Sequence, residues 1–245
     1  MPSNKIIASN YELGEDHDFI SQSQFRVKTF RRNLRWAKSV IHFRKSDCIL
    51  DLGCADGAFL EACRLENLKA IGFEINPFLV KWGNNNYNVN LTIGTLDNLK
   101  NYKKELKVIT LWDVLEHLPD PIYAIKIVAE KIPNNGFLML SLPNTNSLSK
   151  KLLQWSWPMH LDVHLTYFND DSICNLLEKF DFKLVAKKVN RQTLSLGYIL
   201  MRMTRQLTNS KFQGNKFEKF LLNNYLFNIS VSYSIGQTLF IFIKN

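Results

Sequence analysis

At 245 residues, 46% hydrophobic and 22% charged, the chain has the size and composition of one globular α/β domain with additions, and its formal net charge is +9. No apolar run approaches the roughly 20 residues that a membrane-spanning helix needs. Met1 to Asn10 lack the apolar core and small-residue cleavage site of a secretory signal, so the expected address is the cytoplasm.

Residues 1–19 are polar and unpatterned, which predicts a frayed segment or one draped over the surface. From Gln24 onward, Val27, Phe30, Leu34, Ala37 and Ile41 recur at spacings of three and four, the apolar face of a helix. Arg26, Lys28, Arg31, Arg32, Arg35, Lys38, Arg44 and Lys45 follow one another with no intervening Asp or Glu. Such a face either attracts anionic partners or is simply solvated.

Cys48-Ile-Leu-Asp-Leu predicts a buried strand that breaks at Gly53, followed by a small-residue turn and a helix through Phe59, Leu60 and Cys63. Ala70 to Phe73 predicts a second strand ending at Glu74, with Asn76-Pro77 as a capped helix start. Val89 to Ile93 and Lys107 to Trp112 read as further strands. Asp120-Pro121 caps a helix with Ile125 and Val128 on its inner side, and Asn135-Gly136 turns the chain into a strand over Phe137 to Leu142. An irregular stretch then carries Trp155, Trp157, His160 and His164, before a helix from Asn169, a strand over Phe182 to Val189 and a last strand over Gln237 to Lys244. Strands alternating with helices of about a dozen residues point to βαβ units and a doubly wound, mostly parallel sheet. The expected organisation is an N-terminal segment and basic cap helix over 1–46, a core over 47–190 and 233–245, and a helical insertion over 191–232 that forms part of a substrate cap. Cys48, Cys54, Cys63 and Cys174 show no metal-like or C-x-x-C spacing and read as free, mostly buried thiols.

The chemistry is concentrated in Ile49-Leu-Asp-Leu-Gly-Cys-Ala-Asp-Gly-Ala-Phe59, a strand with a carboxylate near its end that runs into a loop of small residues. A dinucleotide site wants G-x-G-x-x-G with backbone amides on a pyrophosphate. Here Ala55 and Ala58 stand at the second and third glycine positions, and Asp51 would bring negative charge near the phosphates. The same arrangement suits S-adenosylmethionine, which has no phosphate and carries an ammonium group that Asp51 can pair with.

Asp51-Leu-Gly-Cys-Ala-Asp-Gly57 resembles the first motif of class I S-adenosylmethionine-dependent methyltransferases. Glu74, the segment Thr110 to Pro121, the run Phe137 to Asn144 and His164-Leu-Thr-Tyr-Phe168 resemble that family's later motifs in order and spacing. The resemblance covers about residues 47–190 and the final strand, and is nearest to the subgroup with quinone-biosynthesis and sugar or polysaccharide O-methyltransferases. It implies a Rossmann-like methyltransferase fold whose last strand is antiparallel. It also implies that Asp51, Gly53 and Cys54 line the methionyl part, that Gly57 belongs to the same cofactor-binding loop, that Glu74 and Ile75 line the ribose and one adenine face and Thr95 and Leu96 the other face, and that Asp113 and Val114 lie beneath the sulfonium.

A hydroxyl acceptor needs a base, and His117, His160 and His164 are the candidates, because histidine titrates near neutrality. Glu116-His117 lacks a third ligand in the sequence, so no metal is expected. Trp155 and Trp157 could stack on an acceptor ring. The expected activity is therefore methyl transfer to a small-molecule hydroxyl of a sugar, lipid-linked sugar or quinone-type phenol, with peripheral membrane contact through the basic helix or the insertion. The alternatives are an RNA-directed methyltransferase, set against the lack of any recognisable RNA-binding module, and a silent cofactor-binding protein.

Overall fold

Short runs of buried apolar residues, each followed by a turn and a helix, build the parallel part of a single seven-stranded sheet. The computed structural model describes residues 17–44, 46–207 and 216–245, so most of the polar segment 1–19 lies outside the described residues. Strands β1 (Cys48–Leu52), β2 (Lys69–Glu74), β3 (Leu91–Ile93), β4 (Val108–Trp112) and β5 (Phe137–Pro143) run parallel, while β6 (Phe182–Ser195) and β7 (Ser230–Lys244) pair antiparallel. The order is β3-β2-β1-β4-β5-β7-β6, with β7 antiparallel to β5 as well. Doubly wound topology with an antiparallel last strand is thus what the chain adopts.

Alternation along each strand sends side chains to two separate cores. Leu50, Leu52, Ile109, Leu111, Leu138 and Leu140 pack on one face, and Ile49, Val108, Met139, Leu239 and Ile241 on the other. Asp51, two residues after Ile49, shares the second face. The helix starts follow from their caps. The Asn76 side chain accepts from Phe78 N and Leu79 N ahead of Pro77, Asp120 accepts from Tyr123 N ahead of Pro121, and Asn169 accepts from Ser172 N.

The long N-terminal helix α2 (Ser23–Val40), preceded by the short α1 (His17–Ser21), buries Val27, Leu34 and Ala37 as its periodicity requires. Its basic residues are largely engaged within the molecule. Arg26 pairs with Asp56 at 2.6 Å, Arg31, Arg35 and Lys38 converge on Glu66, and Arg32 donates to the Arg191 carbonyl, Thr193 and Ser232. The helix is bound to the fold by the cationic side chains that would otherwise mark it as a free face for docking anions.

The two antiparallel strands are longer than their apolar patterns predict. Residues 191–195 and 230–232, placed by the sequence in a helical insertion, are strand, and the insertion narrows to α9 (Leu196–Leu207) and α10 (Lys216–Asn223) at the tip. Thr193 N donates to Thr29 Oγ1 and Ser195 N to Gln22 Oε1, so α2 and its N-cap residue supply the acceptors that let this polar backbone be buried. The stretch after β5 also contains a helix, α7 (Leu148–Leu153), started by Ser147, whose hydroxyl accepts from Lys150 N. No helix among the described residues is long and apolar enough to cross a membrane.

Candidate active site

At the carboxyl end of β1 the chain makes a tight loop against the end of β2. Gly53 N and Cys54 N both donate to Phe73 O, at 2.8 and 3.1 Å. Gly53 has φ 75°, and a Cβ there would fall 2.6 Å from Val114 Cγ2, so the position needs glycine both for its left-handed backbone and for the close approach of the turn after β4. Gly57, at φ 78°, opens the helix Ala58–Leu65. Ala55 also lies in the left-handed region, at φ 48°, where the dinucleotide pattern would place a glycine.

Asp51 and Glu74 flank this loop, and both are buried. Asp51 Oδ1 accepts from Thr110 Oγ1 at 2.6 Å. Glu74 accepts from Ala55 N at 2.8 Å through one oxygen and from Asn76 N at 2.9 Å through the other. Burial raises the pKa of both, and the Glu74 charge raises Asp51 further. No ion pair to either carboxylate is found among the described residues. Two neighbouring carboxylates withdrawn from water without a cation are costly on their own, and a ligand bearing positive charge and hydroxyl donors relieves that cost. Such a pair of acceptors matches the ammonium and ribose hydroxyl donors of S-adenosylmethionine.

The remaining residues assigned to the cofactor lie at the ends of the same adjacent strands. Ile75 follows β2 and is partly exposed, Thr95 uses its hydroxyl to cap the helix Leu96–Asn101, and Leu96 is packed against the core. Cys54 is buried beside Asp51 and Glu74, and burial pushes its thiol well up, so it is a neutral packing group. Val114 abuts Gly53, and Asp113 turns its carboxylate toward β5 and β7. It accepts from Ser141 Oγ at 2.8 Å and from Gln237 Nε2 at 2.7 Å, while Gln192 Nε2 bonds Gln237 at 2.6 Å. Sequence reasoning missed this glutamine pair. Its one signal is a lone amide ahead of an otherwise apolar run after Gly236.

Two of the three candidate histidines meet at the end of β4. The His117 and His164 rings stand edge to face with centroids 4.7 Å apart, held by Nδ1 contacts to Val163 O at 3.0 Å and to Met159 O at 2.9 Å respectively. Burial and the neighbouring His117 lower the His164 pKa to about 4, and burial lowers that of His117. Glu116 is buried with no hydrogen-bond partner for either carboxylate oxygen among the described residues, and burial, then the Asp113 charge, hold its pKa well above the usual range. Glu116, His117 and His164 bring one donor atom each within 4.8 Å of one another, a spacing suited to sharing a proton or to holding a cation. His160 stands apart from this group. Its Nε2 lies 2.9 Å from Lys150 Nζ and its Nδ1 3.3 Å from Trp155 O, so its acceptor nitrogen is already taken. Trp157 is buried and donates to Ile235 O at 2.6 Å, whereas Trp155 is open to solvent.

The family model described as "Methyltransferase domain" matches residues 23–187. A ubiquinone biosynthesis O-methyltransferase of Coxiella burnetii is 29% identical over 107 residues, 42% of this chain, and the match spans 46% of that relative's length. Among solved structures, a SAM-dependent methyltransferase from Archaeoglobus fulgidus superposes with a TM-score of 0.59 at 20% identity, covering 94% of this chain and all of that one. A phosphoethanolamine N-methyltransferase of Haemonchus contortus, in complex with S-adenosylhomocysteine and phosphomonomethylethanolamine, superposes with a TM-score of 0.53 at 13% identity over 87% of this chain and 52% of that one. At these identities the structural likenesses speak for the fold.

Proposed function

The chain belongs to the methyltransferase-domain family, and we propose that it moves a methyl group from S-adenosylmethionine to a hydroxyl of a small molecule, a sugar, lipid-linked sugar or quinone-type phenol. The observation that carries the reading is the pair of buried carboxylates, Asp51 and Glu74, that have no cationic partner among the described residues and stand on either side of the Gly53–Gly57 loop, with His117 and His164 at the end of the next strand. The partial likeness to a ubiquinone biosynthesis O-methyltransferase favours oxygen as the accepting atom.

In this reading Asp51 pairs with the amino group of the methionyl part, and Glu74 accepts from the ribose hydroxyls. Ile75, Thr95 and Leu96 border the adenine, and Val114, pressed on Gly53, closes the floor. The cofactor supplies an already activated methyl on a sulfonium. The protein's part is to align an acceptor, exclude water and take a proton. His164, neutral across the physiological range, accepts the hydroxyl proton, and His117, in edge contact with it, fixes its ring. The network Asp113–Ser141–Gln237–Gln192 holds the neighbouring turn in its left-handed geometry, with Asp113 at φ 55°.

The test is a labelled-methyl screen of the purified chain against sugar, quinol, lipid and RNA acceptors, with calorimetry of S-adenosylhomocysteine alongside. Cofactor binding with label on a hydroxyl is the expected result. Label on RNA or on nitrogen alone, or failure to bind the cofactor, overturns the reading.

A further inference from the structure

Beyond the reaction itself, the loop that carries His160 and His164 presents an unusual surface. Leu148 and Leu152 are each 72% exposed, Leu153 45% and Trp155 89%. Four large apolar side chains within eight residues face solvent, although α7 has apolar faces enough to bury. Isolated exposed leucines are ordinary, whereas a run of them with a tryptophan marks a surface made to be covered.

The lip is built firmly. Ser147 caps α7, Lys150 Nζ reaches Gln154 O at 3.0 Å and His160 at 2.9 Å, and just beyond the lip Trp157 is buried with its indole donating to Ile235 O at 2.6 Å. The apolar side chains therefore cannot simply fold inward. The charge on this segment has one sign. Lys150 and Lys151 lie between the leucines, and no Asp or Glu occurs from Asn144 to Leu161. Lys150 Nζ sits 5.7 Å from the Trp155 ring centroid, an ammonium held beside an amphipathic indole. Leucines to enter acyl chains, an indole and lysines at headgroup level, and no acidic residue to be repelled are the components of an interfacial anchor.

We propose that the Leu148–Trp155 lip docks the protein on a bilayer surface carrying anionic headgroups. This differs from the location that the sequence suggests, since the basic residues of α2 are largely engaged by Asp56, Glu66 and the β6–β7 strands. The lip also leads to the site. Rings follow one another from Trp155 to His160 at 6.2 Å, to Tyr167 at 5.7 Å, to His164 at 5.8 Å and to His117 at 4.7 Å. An acceptor dissolved in the membrane would meet an aromatic path to the histidine pair. The docking itself does not depend on which acceptor is methylated.

The experiment uses the full chain with sedimented vesicles of phosphatidylglycerol in phosphatidylcholine, and with phosphatidylcholine alone. At low salt the protein is expected to sediment with the anionic vesicles and much less with the neutral ones. A Leu148→Ser, Leu152→Ser, Trp155→Ser variant should bind at least about tenfold more weakly, with its fold checked by the thermal shift that S-adenosylhomocysteine produces. If that variant does not fold, Trp155→Phe serves instead, because it should abolish the blue shift of tryptophan emission on adding vesicles. Wild-type protein left in solution beside anionic vesicles overturns the proposal, as does a folded triple variant that binds as tightly, or a blue shift unchanged in Trp155→Phe. A wild-type dimer that the triple variant converts to a monomer overturns it too, because a second copy would then be the occupant of the lip.

Discussion

Glu74 Oε2 accepts from Ala55 N at 2.8 Å, so the carboxylate proposed to hold the ribose also fixes the loop that borders the methionyl part. One side chain thereby ties together two halves of the proposed cofactor site. Glu74→Ala is expected to weaken S-adenosylhomocysteine binding by about 1–3 kcal/mol through lost charge-assisted hydrogen bonds. The same change leaves Ala55 N and Asn76 N without their acceptor, so the melting temperature should fall as well. Calorimetry that returns an unchanged affinity would remove Glu74 from the site.

Cofactor affinity should depend on pH in a specific direction. Burial raises the pKa of Asp51, and the Glu74 charge raises it further, while burial raises Glu74 against the pull of its backbone donors. A bound ammonium favours the ionised form, so the pKa of Asp51 in the complex lies below that in the free protein. Affinity is then fully present above the free-protein pKa and is lost as pH falls through it. The loss should begin at a higher pH than an ordinary carboxylate, at about 4, would give. An affinity flat from neutrality down to pH about 4 would contradict the assignment of Asp51.

Ala55 offers a test of the loop's strain. Its φ of 48° costs an L-residue about 1–2 kcal/mol, of which glycine would recover part and return about 0.5–1 kcal/mol as unfolded-chain entropy. Ala55→Gly should therefore be neutral to stabilising by about 1 kcal/mol, a rise in melting temperature of roughly 2–4 °C. A clear fall in melting temperature would show that the alanine methyl makes contacts worth more than the strain.

The parallel half of the fold was legible because each strand there is a run of apolar residues ended by a turn residue, and each of three helix starts carries an Asn or Asp cap. The outer parts of β6 and β7 were not, since Gln192-Thr193 and Ser230-Val231-Ser232 are largely polar segments held in strand geometry by Thr29 and Arg32 of α2 and by Gln22 at its N-cap. The residues proposed to hold the cofactor stand at strand ends that could be followed in sequence order. The meeting of His117 with His164 was not legible, because it depends on the loop after β5 folding back to donate from Leu165 N to Glu116 O at 2.8 Å. No periodicity in that loop announces the contact.

That contact separates the three histidines by a measurable difference. His164 has a ring contact with His117 and faces the buried Glu116 group, whereas His160 is bound at both nitrogens to the lip, through Lys150 and Trp155. Proton abstraction contributes about 10²–10⁴ to rate where a base is positioned. His164→Ala should accordingly lower kcat by about 10²-fold or more and leave S-adenosylhomocysteine affinity unchanged, while His160→Ala should retain most of the turnover. Prior treatment with a chelator should leave wild-type activity intact, since the acceptor proton passes to an imidazole. Loss of activity on chelation, restored by one divalent ion, would show instead that Glu116, His117 and His164 act by binding that ion. Full activity in His164→Ala would leave His117 as the base to examine, with its Nδ1 contact to Val163 O as the group that orients it.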